Sequence, residues 1–390
     1  MRTQVGIVGA GPAGLMLSHL LDRAGIDSVV VDNRTRLEIE QTVRAGILER
    51  DSARLLVDAD VSRRVLDEGD EHQGIELAFG GSGHRIDFAG LVGSSVWLYP
   101  QTEVFIDLAA ARDRAGGDVR YGVSDTTLLD VGSERPGFSF VDDRGLRQEV
   151  RCDYLVGADG SRSICRAGIT SPDRQDFFRE YPFAWFGILC EAPKSAPELI
   201  YNSSEHGFAL ISQRTESVQR MYFQCDPAEP VDAWSDDRIW SELQRRLGAN
   251  GYVLHEGPIT AKSVLPFRSY VCQPMRQGRL VLAGDAAHTV PPTGAKGLNL
   301  ALADVRVLAE VLERAVGGAG PDVLDEYSDR ATRRVWRAQH FSYWMTTMLH
   351  TLPDSSAFDR QRQAGELSTL VASRAGRTLL AEGYTGWPDG

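Results

Sequence analysis

The chain is sparing with cysteine, with long apolar runs and with positive charge. Its five cysteines (Cys152, Cys165, Cys190, Cys225 and Cys272) are scattered, odd in number and without CxxC spacing. That pattern argues against a disulfide framework, a metal site or a redox dithiol, and points to a reducing compartment such as the cytoplasm. No apolar run approaches the roughly 20 residues of a membrane span. The Gly-rich interior of residues 5–21 and the Asp22-Arg23 stop fit a folded strand–turn–helix rather than a signal peptide. Lys and Arg number 42 against 54 Asp and Glu, a net charge of −12. Nucleic acid and anionic membranes are therefore poor partners, and any anionic ligand needs a local basic cluster.

What is present is nucleotide-binding punctuation. A chain of 390 residues exceeds one ordinary core, so two packed domains are expected. Residues 4–8 read as a strand, followed by Gly9-Ala10-Gly11-Pro12-Ala13-Gly14 and a helix to about Ala24. In that setting Gly9 serves the tight turn, Gly11 the approach of a pyrophosphate, and Gly14 close helix–strand packing. A second strand, Val29-Val30-Val31, ends at Asp32, placed for a ribose hydroxyl. No second GxGxxG unit exists, so one dinucleotide is permanent and any other nucleotide binds transiently.

Residues 279–304 form a second organising stretch. Leu280-Val281-Leu282-Ala283 reads as a buried parallel strand, then Gly284-Asp285, a loop with Pro291 and Pro292, and a helix starting near Gly297. A carboxylate at a strand end suits sugar hydroxyls, and a helix start faces negative charge. A flavin offers both features; an ordinary crossover is the competing reading. Tyr154-Leu155-Val156-Gly157-Ala158-Asp159-Gly160 reads as a further strand end, followed by Arg162 and Arg166.

Between these segments the pattern becomes that of short alternating strands at 185–190, 198–201, 207–212 and 219–224, with a hairpin-like stretch at 74–88. Ser212 and Arg214 share one strand face, and Arg220 and Tyr222 share one on the next. A turn at 215–218 brings these strands together, so one face presents guanidinium and hydroxyls to a carboxylate. A solvated sheet face is the alternative. Residues 101–115 and 235–247 read as helices, and the chain after Asp304 is helical with breaks at Pro321, Pro353 and Pro388. The apolar load of residues 336–352 exceeds one helical stripe, so that helix is deeply buried or partly a subunit contact.

Several segments carry a family resemblance: RAGILE at 44–49, QTEV at 101–104, the GADG stretch, YPFAWFGIL at 181–189, GFALISQR at 207–214, GDAAHTVPPTGAKGLNLA at 284–301 and WMTTMLHTLPD at 344–354. Over essentially its whole length the chain resembles the single-component flavin-dependent aromatic hydroxylases. The resemblance implies FAD along Gly9, Gly11 and Gly14, with Asp32 on its adenosine ribose and Asp285 on its ribityl chain. It implies Arg44, Gln101 and Asp159 on the pyrophosphate and neighbouring groups, and Gly297, Leu298 and Asn299 at the flavin's pyrimidine edge. Arg220 is implied to steady the flavin as it moves. The substrate carboxylate is implied on Ser212, Arg214 and Tyr222, its phenol on Tyr201 and the Pro292 carbonyl, with Thr293 adjoining. Tyr384 then continues a proton path towards His72.

The implied reaction is hydroxylation of 4-hydroxybenzoate to 3,4-dihydroxybenzoate with NAD(P)H and O2. Related rings (4-aminobenzoate, 3,4-dihydroxybenzoate) and a non-oxygenating aromatic-acid-binding flavoprotein remain alternatives. A phenol with a pKa near 10 needs such a path to react as phenolate, and histidine titrates in the useful range. Arg34, Arg44, Arg162, Arg166 and Arg268 are the nicotinamide-cofactor candidates. Because Glu38 and Glu40 offset Arg34 and Arg36, the balance leans to NADH or dual use. A homodimer follows from the resemblance. No metal is expected.

The expected fold is α/β: a mixed FAD-binding sheet with a Rossmann-type βαβ unit, interrupted by an antiparallel substrate sheet, then a helical C-terminal part. The FAD-binding domain is assigned 1–72, 96–180 and 267–345, the substrate sheet 73–95 and 181–266, and the helical interface region 346–390.

Overall fold

Val5, Ile7, Val30 and Val31 are β-branched and wholly buried, the composition of strands covered on both faces. In the computed structural model, which describes residues 1–42 and 46–387, they build the centre of a mixed sheet. The strand Arg2–Val8 pairs in parallel with Ser28–Val31 on one side and Arg147–Gly157 on the other. Leu280–Leu282 extends the parallel set beyond Arg147–Gly157, and Asp118–Arg120 extends it beyond Ser28–Val31. The register aligns Val8 with Val31 and Gly157, and Gly157 with Leu282. The loops leaving these four carboxyl ends therefore open on one edge, where an open α/β sheet binds its ligand.

The second sheet follows from period-two alternation. The strands Gln175–Glu191, Val218–Cys225, Gly207–Gln213 and Ile200–Ser204 lie side by side and antiparallel. One face sets Ile200, Ala209, Ile211, Met221 and Phe223 against Trp240, Leu243 and Leu247 of the helix Asp236–Gly248. Ser235 caps that helix, its hydroxyl accepting from the Arg238 N–H at 3.3 Å. The opposite face sets Trp185, Tyr201, Phe208, Leu210 and Tyr222 against Phe341, Met345, Met348 and Tyr384.

Several boundaries differ from the sequence expectation. Ile200–Ser204 starts later than predicted, because Glu198 turns aside to bind Arg85 at 2.7 Å. It pairs in parallel with Gly74–Phe79, so the sheet is not wholly antiparallel. Gln175–Glu191 runs for 17 residues beside the 15-residue Ile259–Gln273. Positions 180/181 and 266/267 thus fall inside two continuous strands, with a register shift between Glu180 and Ala184. Pro182 lies in that gap and has no N–H for the ladder.

A small sheet joins Ile47–Glu49, Val96–Leu98 and Asp70–His72. The helices Gly297–Arg314, Leu324–Leu349, Ala357–Ala372 and Arg374–Thr385 complete the chain's described part. Phe341, Met345 and Met348 of the third-last helix are buried, whereas Trp336 and Tyr343 are 40% and 39% exposed. Among the described residues no helix is long and apolar enough to cross a membrane, and no cluster suits a metal ion.

Candidate active site

At the sheet's ligand edge, Gly9 has φ +109°, and a Cβ there would overlap the Ala158 carbonyl. A Cβ on Gly14 would overlap the Gly9 carbonyl, so helix and strand pack without a side chain between them. The helix Pro12–Arg23 carries no side-chain cap and no acid in its first turn, and the space over Gly11 is open. Its N-terminal N–H groups are thus presented to an anion. Asp32 fixes this cradle: its carboxylate accepts from the Ala10 N–H at 2.8 Å and the Arg34 N–H at 2.9 Å. Gln101 opens the helix Gln101–Arg114 nearby, and Arg44 lies outside the described residues.

The strand Leu280–Leu282 delivers the Gly284–Ala286 turn. The Asp304 carboxylate holds that turn by accepting from the Gly284 N–H at 3.0 Å and lies 2.6 Å from His288 Nε2. Arg166 donates to the carbonyls of Asp285 and Ala286 and stacks 4.1 Å over Tyr270. The helix Gly297–Arg314 begins without a side-chain cap or an acid, and Gly297 borders open space. Asn299 ties this start to the small sheet, donating to the Ile47 carbonyl and accepting from the Glu49 N–H, both at 2.9 Å. Leu298 is half-buried beside it. Two uncapped helix starts, each beside an open glycine and a strand-end carboxylate, fit the phosphates, sugar chain and pyrimidine edge of FAD.

On the substrate sheet, Ser212 stands directly opposite Arg220, and Leu210 opposite Tyr222. The four strand positions therefore share one face, as the alternation predicts. The Arg214 and Val218 backbones close the turn, N–H to carbonyl, at 2.8 Å. Burial, helped by the nearby Arg220 charge, lowers the Arg214 guanidinium to about 10. Arg220 lies 4.9 Å over the Tyr222 ring, and its buried Nη1 has no hydrogen-bond partner among the described residues. Two guanidiniums gathered in a half-buried recess call for an anion. Gly187 backs the recess: a Cβ there would stand 2.8 Å from the Tyr222 ring.

From this recess runs a line of hydroxyls. Tyr201 and Tyr384 lie with their oxygens 2.7 Å apart, both buried, and Tyr201 donates to the Thr293 carbonyl at 3.2 Å. The Pro292 carbonyl instead accepts from the Ala295 N–H at 3.0 Å within its own turn. Burial raises both phenols far above the ordinary tyrosine value. Among the described residues His72 shares no hydrogen bond with Tyr384; its Nε2 lies 3.2 Å from the Asp70 carboxylate.

A family model described as an FAD binding domain matches residues 2–342. p-Hydroxybenzoate hydroxylase of Acinetobacter baylyi is 43% identical over 390 residues, which is 100% of this chain and 96% of that protein. This chain belongs to the p-hydroxybenzoate hydroxylase family of FAD-dependent aromatic hydroxylases. It is a flavoprotein monooxygenase with FAD as cofactor and NAD(P)H as co-substrate. A putative polyketide hydroxylase of Streptomyces coelicolor is 27% identical over 84% of this chain and 55% of its own. In fold the hydroxylase is similar to p-nitrophenol 4-monooxygenase from Pseudomonas putida, with TM-score 0.81, 20% identity and 99% of each chain covered.

Other assigned residues of the hydroxylase have local duties. The Asp159 carboxylate accepts from the Ser163 hydroxyl at 2.6 Å and the Ile164 N–H at 2.7 Å, holding its own loop. Arg268 donates to the Ser161 hydroxyl at 2.8 Å, and Arg162 is exposed beside it. Arg34 grips Asp32 at 3.3 Å, while Arg36 is held by Glu40 at 2.8 Å and Asp113 at 2.7 Å.

Two residues escaped the sequence reading. Lys296 is buried between Glu49 at 2.5 Å and the Tyr384 carbonyl at 2.9 Å, with burial pulling it below the ordinary lysine value against the attraction of Glu49. His350 lies flat on Phe183, centroids 4.7 Å apart, and its Nε2 accepts from the Trp185 indole N–H at 2.7 Å. Its Nδ1 donates to the Thr346 carbonyl at 2.9 Å, and the Thr346 hydroxyl reaches Thr293 Oγ1 at 2.9 Å. A histidine at a helix's end before a Thr-Leu-Pro break was the only available signal.

Proposed function

We propose that the hydroxylase converts 4-hydroxybenzoate to 3,4-dihydroxybenzoate, favouring NADH as donor. The observation that carries this reading is the joining, on one sheet face, of a two-guanidinium recess to a buried pair of tyrosine hydroxyls. A 4-hydroxybenzoate has a carboxylate for the first and a phenol for the second. Bound FAD supplies electrons taken from NAD(P)H and activates O2. The cofactor would be held by Gly9, Gly11, Gly14, Asp32 and Gln101 at one end and by Asp285, Gly297, Leu298 and Asn299 at the other.

The chain's own residues then orient and ionise the ring. Ser212, Arg214 and Tyr222 bind the carboxylate, which fixes the para oxygen at Tyr201 beside the loop of Pro292 and Thr293. Ionisation matters because a phenolate pushes electron density onto the adjacent ring carbon. Tyr201 and Tyr384 are too deeply buried to hold a negative charge near neutral pH, so they pass a proton on rather than keep one. His72 receives it. Arg220 steadies the flavin beside the same recess.

The preference for NADH follows from charge. Arg34 and Arg36 are already engaged by Asp32, Glu40 and Asp113, so a 2′-phosphate would have to displace carboxylates. Arg162, Arg166 and Arg268 remain the candidates for the nicotinamide cofactor's phosphates. A homodimer is supported by an open strand edge: residues 175–180 are exposed throughout, and Phe177 meets Trp336 at 5.1 Å on the surface. Its free cysteines suit the cytoplasm.

The test is oxidation of NADH and of NADPH by the purified flavoprotein, with and without 4-hydroxybenzoate, with chromatography of the product. Stimulated oxidation with stoichiometric 3,4-dihydroxybenzoate is expected, faster with NADH. Stimulation that yields only hydrogen peroxide would reduce the benzoate to an effector and defeat the proposal.

A further inference from the structure

His72 is 1% exposed, yet two groups connect it to water. The Asp70 carboxylate lies 3.2 Å from His72 Nε2 and 2.9 Å from Lys194 Nζ, and Lys194 lies 2.8 Å from Glu216. The line starts at His72, 1% exposed, and reaches solvent at Asp70 (33%), Lys194 (23%) and Glu216 (88%). On the other side of the ring, Nδ1 is buried and has no hydrogen-bond partner among the described residues. His72 pairs with Val96, which packs in the same cluster as Tyr384. The next residue, Gln73, accepts from the Phe88 N–H at 2.8 Å, and the Phe88 ring stacks 5.2 Å from the Tyr384 ring.

An ionised carboxylate has no proton to donate, so the hydrogen of the His72–Asp70 bond belongs to Nε2. The neutral ring then carries its lone pair on the buried Nδ1. We propose that Asp70, braced by Lys194, is a positioning residue that holds His72 in this tautomer so that Nδ1 accepts the substrate's phenolic proton. This rests on the reading of the Tyr201–Tyr384 path given above.

The transfer balances without oxidation or reduction. The phenol O–H breaks as an O–H forms on Tyr201; the Tyr201 proton passes to Tyr384, and the Tyr384 proton passes to Nδ1 through a bridging water. A phenolate and an imidazolium result. The imidazolium faces the Asp70 charge, and Asp70 meets solvent, where the excess proton leaves. Burial holds His72 below the ordinary imidazole value against the opposing pull of Asp70 and Glu198, while Lys194 lowers it further. Glu198 is itself clasped by Arg85. Burial would raise Asp70, but Lys194 and His72 together keep it ionised below the usual carboxylate value. The two neighbours therefore act on His72 with opposite sign: Asp70 makes it a better base, and Lys194, by neutralising Asp70, a poorer one.

The experiment follows phenol ionisation of 4-hydroxybenzoate bound to the oxidised holoenzyme, by difference absorbance across neutral pH. Asp70→Asn is expected to raise the bound phenol's apparent pKa by about one unit, a tenfold loss of phenolate. Lys194→Met is expected to lower it. On a His72→Asn background both shifts should vanish. A mere packing defect would move both variants the same way, and either that result or an unmoved titration overturns the proposal. Tyr201→Phe separates the two readings. If it blocks ionisation while the Asp70 and Lys194 variants titrate normally, the path stands and the role of Asp70 falls. If it leaves ionisation untouched, or if 4-hydroxybenzoate does not bind, the underlying path falls with it.

Discussion

The hydroxyls of Tyr201 and Tyr384 lie 2.7 Å apart across 183 residues of sequence. One comes from a sheet strand and the other from the final described helix. Because Tyr201 has a single proton and also reaches the Thr293 carbonyl, in this structure Tyr384 donates to Tyr201. A phenol arriving at Tyr201 reverses that direction. Tyr201→Phe should leave FAD and 4-hydroxybenzoate bound but cut hydroxylation about a hundredfold, the usual scale of a lost proton-transfer group. Product formed per NAD(P)H consumed is the measurement; unimpaired coupling would contradict the assigned role.

Arg214 supplies a second, independent test. Removing one partner of a buried charged contact costs roughly 2–5 kcal/mol, so Arg214→Ala should weaken 4-hydroxybenzoate binding by at least about 30-fold. FAD content should be unchanged, since Arg214 is not among the residues assigned to hold the cofactor. Arg214→Lys should recover only part of the affinity, because an ammonium does not present the planar fork that a carboxylate takes in two contacts. Equal affinity in Arg214→Ala would remove the recess from the substrate site.

Stability should respond to His350 in acid. Its burial, only partly offset by the Thr346 carbonyl, lowers the ring to about 3, against 6.5 for a free histidine. Protonation would set an N–H against the Trp185 N–H. Below pH 6.5 the unfolded chain takes up a proton that the folded ring refuses, so stability present above 6.5 is lost as pH falls towards 3. His350→Gln keeps an acceptor for Trp185 and removes the titration. Thermal midpoints of the two proteins should converge as pH falls; a constant gap between them would exclude this contribution.

Lys296 and Glu49 form the remaining test. Leaving one member of such a buried pair alone costs about 3–5 kcal/mol, and Glu49, with its side chain 18% exposed, points to the lower end. Lys296→Met should lower denaturation resistance by about that amount, and adding Glu49→Gln should restore much of it. Additive losses in the double variant would show that the two do not act as a pair.

Much of the site was legible because it is local. The turn at Gly9, the helix start after Gly11 and the carboxylate of Asp32 all follow from short-range backbone chemistry, and the fold repeats them faithfully. Ser212, Arg220 and Tyr222 were legible because strand alternation puts every second side chain on one face, and a short turn sets the register. Strand ends were harder: the strand near Tyr201 starts at Ile200 because the ion pair of Glu198 with distant Arg85 competes with the ladder. Asp159 and Arg166 carry residue types that suit a ligand, yet Asp159 binds its own loop and Arg166 holds the distant turn of Asp285 and Ala286.

The sequence determined the nucleotide loop, the alternating strands, the helix starts and the class of chemistry, since each depends on residues within a few positions of one another. Only the tertiary structure decided that Lys296 meets Glu49, that His350 locks Trp185, and that Asp70 joins His72 to Lys194. Apart from the neighbouring Asp70 and His72, those contacts join segments far apart in the chain. Burial then sets their protonation, because the cost of a charge depends on everything packed around it.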